Sequence, residues 1–148
     1  MLKYYNLDIV FQEIPNEVSL AINITNCPNH CKGCHSPHLQ EDIGEELTKS
    51  VLSDLLEKYG NAVTCVCFMG GDNAPEEILQ SAKFFRKYGI KTAWYSGKKA
   101  LPNSDFTQYF NYIKLGAYIE SLGGLDSPTT NQRLYRIENG EMFVVGFK

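Results

Sequence analysis

Three cysteines, Cys27, Cys31 and Cys34, fall within eight residues of the stretch T-N-C-P-N-H-C-K-G-C-H, with the spacing C-x3-C-x2-C. Thiolates this close converge on a shared soft cation, because each is a charged, polarisable ligand once deprotonated. A structural zinc site takes four protein ligands, which these three and either His35 or His38 could supply. Zinc signatures, however, usually come as two separated pairs. An iron–sulfur cluster held by three cysteines instead leaves one iron open to a reacting ligand, and the spacing favours that reading over zinc and over buried structural thiols. Pro28, Asn29 and Gly33 make the stretch a poor helix and suit it to wrapping backbone around a bound object.

Two further segments carry polar groups at the ends of apolar runs. Gly70-Gly71-Asp72 follows C-V-C-F-M, and Ser96-Gly97 follows T-A-W-Y. Glycines let a ligand approach main-chain groups closely, and a carboxylate suits an ammonium group or a metal-bound amine. The plainer alternative for the first segment is a strand-to-helix turn with Asp72 or Asn73 capping the helix. For Ser96-Gly97 it is a simple turn. Cys65 and Cys67 lie two apart on an apolar run, so both point to one face, and a core role is expected for them.

The elements that must position these groups follow from periodicity. Short strands are expected at 7–11 and 19–24, the second feeding directly into the cysteine stretch. Val51, Leu52, Leu55, Leu56 and Tyr59 fall at helical spacing, with Thr48 as N-cap and Gly60 as stop. The run 62–69 reads as a buried strand of a parallel sheet. Pro75 opens a second helix with the stripe Ile78, Leu79, Ala82 and Phe85, stopped at Gly89. A strand is expected at 90–95, a weak helix at 104–113, a short strand at 117–120 and an irregular loop at 121–131. Asn139-Gly140 between two alternating runs signals a closing hairpin.

Strand–helix–strand alternation implies an α/β fold with a largely parallel sheet, in which functional groups gather at the carboxyl ends of the strands. Cys27 to Cys34, Gly70-Gly71-Asp72 and Ser96-Gly97 all fall at such ends. The 148 residues fit a single domain, 1–148, able to bury a core. Hydrophobic residues make up 43% and charged residues 21%, so a folded chain is expected. A net charge of -3 with scattered basic residues, Lys98–Lys99 the nearest to a patch, argues against a nucleic-acid partner. No apolar run approaches a membrane span, and the first residues do not resemble a signal peptide. A cytoplasmic location is therefore expected, where clustered cysteines mean metal more often than disulfide.

The motifs C-P-N-H-C-K-G-C-H-S-P-H, F-M-G-G-D, W-Y-S-G and L-D-S-P-T-T-N-Q-R, in this order, resemble the radical S-adenosylmethionine enzymes. Within them the chain is most similar to the glycyl-radical-activating branch, and there to the activases of anaerobic ribonucleotide reductases. The resemblance implies a small or incomplete (β/α) barrel with helices outside. It also implies a [4Fe-4S] cluster on Cys27, Cys31 and Cys34, whose open iron chelates S-adenosylmethionine. Reductive cleavage would give methionine and a 5′-deoxyadenosyl radical, which abstracts hydrogen from a glycine of the partner reductase. Gly70, Gly71 and Asp72 correspond to the family's Gly-Gly-acid motif, which holds the methionine amino group. Gly33, Cys34 and His35 would line the adenine side, with His35 the contributing side chain because the aromatic residue common before the third cysteine is here Gly33. Ser96 would meet the methionine carboxylate or the ribose.

An unidentified low-potential electron donor is implied as a second partner. The larger activases often carry a ferredoxin-like cysteine insert, and nothing between His35 and Val63 supplies one. An activase of a formate-lyase-type glycyl radical enzyme is the first alternative. A non-catalytic zinc-binding interaction module is the alternative from another class. For Asn131-Gln132-Arg133 a solvated loop end is expected, ahead of a role in docking the reductase or closing over the ligand.

Overall fold

The structure is a computed structural model that describes residues 2–11, 13–25, 43–117, 119, 121, 122, 125, 127 and 130–145. Eight strands form one sheet in the order β3-β1-β2-β4-β5-β6-β7-β8. They are β1 (Lys3–Val10), β2 (Ser19–Ile24), β3 (Glu45–Glu46), β4 (Cys65–Met69), β5 (Lys91–Tyr95), β6 (Tyr112–Leu115), β7 (Arg133–Glu138) and β8 (Glu141–Val145). Three helices, α1 (Lys49–Tyr59), α2 (Pro75–Lys87) and α3 (Phe106–Tyr109), stand between β3 and β6.

The parallel part is narrower than the sequence suggests. Only β2, β4, β5 and β6 run parallel to their neighbours. The pairs β1/β2, β1/β3, β6/β7 and β7/β8 are antiparallel, so antiparallel pairings outnumber parallel ones. Among the described residues helices occur only between β3 and β6, where they supply the crossovers that the parallel neighbours β4, β5 and β6 require. The expected closing hairpin is β7–β8, with Asn139 and Gly140 at φ 53° and 80° in its turn.

Local chemistry explains the helices. Thr48 caps α1 by accepting from Val51 N at 3.2 Å, and Pro75 occupies the first turn of α2. Leu52 and Leu55 of α1 are buried, as are Ile78, Leu79, Ala82 and Phe85 of α2. The expected helix at 104–113 shrinks to α3, and the following strand begins at Tyr112, upstream of the expected 117–120. Phe106, Phe110 and Ile113 have helix-like spacing, but α3 ends at Tyr109; Phe106 at its start and Phe110 just past its end both stack on Trp94, at 5.3 and 6.0 Å between centroids. From Tyr112 the side chains alternate across the sheet instead.

Strand alternation gives the sheet two unlike faces. Leu20, Ile22, Val66, Phe68, Trp94 and Ile113 join the helices in one core. Cys65, Cys67, Ala93 and Leu134 pack in a second cluster on the opposite, helix-free side. Cys65 and Cys67 thus occupy a core position, both fully buried.

The β1–β2 connection folds over the amino-terminal end of that helix-free side. Ile14, with no exposed surface, packs into the second cluster. Glu17 anchors the connection: its carboxylate accepts from Lys91 Nζ at 2.9 Å, Thr64 Oγ1 at 2.7 Å and Tyr112 OH at 3.0 Å. The Tyr95 hydroxyl donates to Glu13 O. No described helix is long and apolar enough to cross a membrane.

Candidate functional site

The carboxyl ends of β2, β4, β5 and β6 lie side by side, because the four strands are parallel and in register. At the end of β2, Thr25 N and Oγ1 donate to Lys3 O at 2.9 and 3.2 Å, and Oγ1 also donates to Ile43 O at 2.6 Å. Thr25 and Ile43 flank residues 26–42. These two flanking residues meet at the end of β2. Cys27, Cys31, Gly33, Cys34 and His35 themselves lie outside the described residues.

Beside that point stands the Gly70-Gly71-Asp72 turn at the end of β4. Gly70 has φ 105°, and a Cβ there would come within 3.3 Å of Ile24 O. Gly71 has φ 95°, and a Cβ there would come within 2.5 Å of Ile78 Cδ1. Both positions demand glycine, for backbone conformation and for close approach. The turn is tied to the end of β5 by Gly70 N donating to Tyr95 O at 3.0 Å and by Trp94 Nε1 donating to Gly70 O at 2.7 Å.

Asp72 does not cap α2. The N-cap is Ala74, with no side-chain hydrogen bond. Instead the Asp72 carboxylate reaches across to β5, accepting from Ser96 Oγ at 2.6 Å and from Gly97 N at 2.8 Å. The two segments singled out in the sequence, Gly70-Gly71-Asp72 and Ser96-Gly97, are thus one hydrogen-bonded unit. Ser96 is buried, and its Oγ also accepts from Lys98 N at 3.1 Å. Its hydroxyl proton is committed to Asp72, so Ser96 reaches any ligand through that carboxylate.

Lys114, which sequence reasoning passed over, and Gln132, expected in a solvated loop end, complete the edge. Lys114 is buried at the register position beside Tyr95, and its ammonium donates to Ser96 O and Gly116 O, both at 3.0 Å. Gln132, also buried, donates from Nε2 to Gly116 O at 3.3 Å. Lys114 pairs with Leu134 of the helix-free cluster and so lies on that side of the sheet. One signal was legible: a lysine between Ile113 and Leu115 in an apolar strand has to find acceptors. Gln132 is therefore no solvated loop end, although Asn131 and Arg133 on either side of it are exposed.

The helix-free side offers no reactive thiol among the described residues. Burial pushes the Cys65 thiol up to about 12 and raises that of Cys67 well above its ordinary value. Burial, then the bond to Glu17, pushes the Tyr112 hydroxyl up to about 12. Asp72, Ser96, Lys114 and Gln132 together make a polar rim at the carboxyl end of the sheet. Such a rim suits a zwitterionic ligand with ammonium and carboxylate groups, and it lies beside the end of β2. No family model, no curated protein and no solved structure matches the chain.

Proposed function

We propose that the chain is a radical S-adenosylmethionine activase that installs a glycyl radical on an anaerobic ribonucleotide reductase. The observation that carries the reading is that Thr25 and Ile43, which bracket the C-x3-C-x2-C sequence, are hydrogen-bonded to each other at the end of β2, beside the Gly70-Gly71-Asp72 turn. Cys27, Cys31 and Cys34 would hold a [4Fe-4S] cluster, with Gly33 and His35 toward the adenine. The described residues fit the cosubstrate. Asp72 offers an acceptor to the methionyl ammonium, Lys114 offers positive charge to the carboxylate, and Gly70 and Gly71 leave the approach clear of side chains. Ser96 holds Asp72 rather than touching the ligand.

When bound, the cluster supplies the electron that splits S-adenosylmethionine into methionine and a 5′-deoxyadenosyl radical, which takes hydrogen from the partner's glycine. The work of this chain is to orient the cosubstrate and exclude water, which the apolar floor of Cys65, Cys67, Ala93 and Ile14 does. On this reading the helix-free side is the inner wall of an incomplete (β/α) barrel, with α1 and α2 outside. The location would be cytoplasmic, with a low-potential electron donor as second partner, and neither nucleic acid nor membrane is required.

Anaerobic purification followed by metal analysis tests the reading. Iron and sulfide near four per chain, lost in Cys31→Ala, are expected for the cluster. Zinc at about one per chain without sulfide would make the protein a zinc-binding module instead. With reduced cluster, S-adenosylmethionine and the reductase, electron paramagnetic resonance should show a glycyl radical. Its appearance only on a formate-lyase-type enzyme would reassign the partner.

A further inference from the structure

A second cavity opens at the same edge of the sheet but on its other side. It has a volume of about 240 Å³ and is lined by Lys99, Leu115, Gly116, Asn131, Arg133 and Tyr135. Leu115 and Tyr135 belong to the helix-side core, whereas Lys114 and Leu134 alternate to the helix-free side. Gly116 separates the two: its carbonyl receives Lys114 and Gln132, while the residue itself lines the cavity.

Among the described residues the lining contains two cations and no acid, in a chain of net charge -3. Arg133 is fixed in place, since its Nη1 donates to Thr130 O at 2.6 Å and to Gln132 O at 2.8 Å. A guanidinium has five N–H donors, so this anchoring leaves others for a ligand. The Lys99 ammonium and the Tyr135 hydroxyl have no hydrogen-bond partner among the described residues. A positioned guanidinium, an ammonium and a phenol around a hollow lined by no described acid form a receptor for a carboxylate.

We infer that this cavity docks an acidic segment of the protein on which the radical is installed. The inference rests on the activase reading. Hydrogen abstraction needs the partner's backbone at the strand ends, so the partner must cover this edge, and the cavity is the charged feature it meets beside the cosubstrate site. Complementary charge there would steer encounter and fix register.

The test uses the full-length, cluster-loaded chain. Two quantities are measured: its affinity for the reductase at increasing salt, and its cleavage of S-adenosylmethionine under dithionite without partner. Lys99→Glu should weaken the complex at least ~10-fold at low salt and flatten its salt dependence, as expected for a close charge pair. Partner-free cleavage should not change, and Lys99→Arg should restore affinity. Unchanged affinity in Lys99→Glu, salt-independent binding, or full competition by inorganic phosphate would overturn the docking role. If the wild-type chain cleaves no S-adenosylmethionine, the activase reading fails separately. A hexaglutamate peptide then decides the cavity alone: Lys99-dependent binding upholds an acidic-peptide site, and no binding sinks it.

Discussion

Ser96 Oγ donates to Asp72 Oδ1 at 2.6 Å, across two strand ends that are 24 residues apart in sequence. This bond and the neighbouring one from Gly97 N fix the orientation of the carboxylate before any ligand arrives. Preorganised acceptors of this kind avoid the cost of ordering on binding.

Removing the hydroxyl should therefore be felt twice. Ser96→Ala deletes a bond to a charged acceptor, worth ~1.5–3 kcal/mol in a partly buried setting. A lower denaturant midpoint with unchanged slope is expected in urea unfolding. On the activase reading S-adenosylmethionine affinity should also fall several-fold. A midpoint loss below ~0.5 kcal/mol would show that Gly97 N alone holds Asp72.

Glu17 makes acid stability readable. Burial pushes its carboxyl up, but the bonds from Lys91, Thr64 and Tyr112 outweigh burial and hold it below its ordinary value of 4.5. A depressed folded value means stability that is fully present above the unfolded pKa and is lost as pH falls through the folded one. Wild type should lose stability below about pH 4.5, more steeply than Glu17→Gln. Equal slopes in pH-dependent thermal melts would remove Glu17 as the anchor of the β1–β2 connection.

Cys65 and Cys67 should resist alkylation. Only the thiolate reacts, and burial raises both thiols far from neutrality. Mass spectrometry of iodoacetamide-treated native protein should find both unmodified until denaturant is added. Modification at the rate of a free thiol would mean that the helix-free side is wet. Cys65→Ala or Cys67→Ala should leave the iron content intact.

The helical stripes of α1 and α2, the Thr48 cap and the Asn139-Gly140 turn were legible because each is a local pattern with a local cause. The placing of Gly70-Gly71-Asp72 and Ser96-Gly97 at neighbouring strand ends was legible from strand–helix alternation. What escaped was decided by tertiary contacts. Phe110 is extended and stacks on Trp94 just past the end of α3, so the expected helix stops there and the chain runs into strand from Tyr112. Asp72 looked like a cap because nothing in the sequence says that Ser96 will stand opposite. Lys114 and Gln132 gain their meaning only through Gly116 O, which two non-adjacent segments share.

Ile14 and Glu17 close one end of the helix-free side, as a stopper closes the bottom of a tube. On the activase reading this imposes an order of events. Cosubstrate would enter through the mouth at the strand ends, and the partner would then cap the same mouth. Methionine and deoxyadenosine would leave only after the partner withdraws, so turnover would be paced by dissociation of the two proteins.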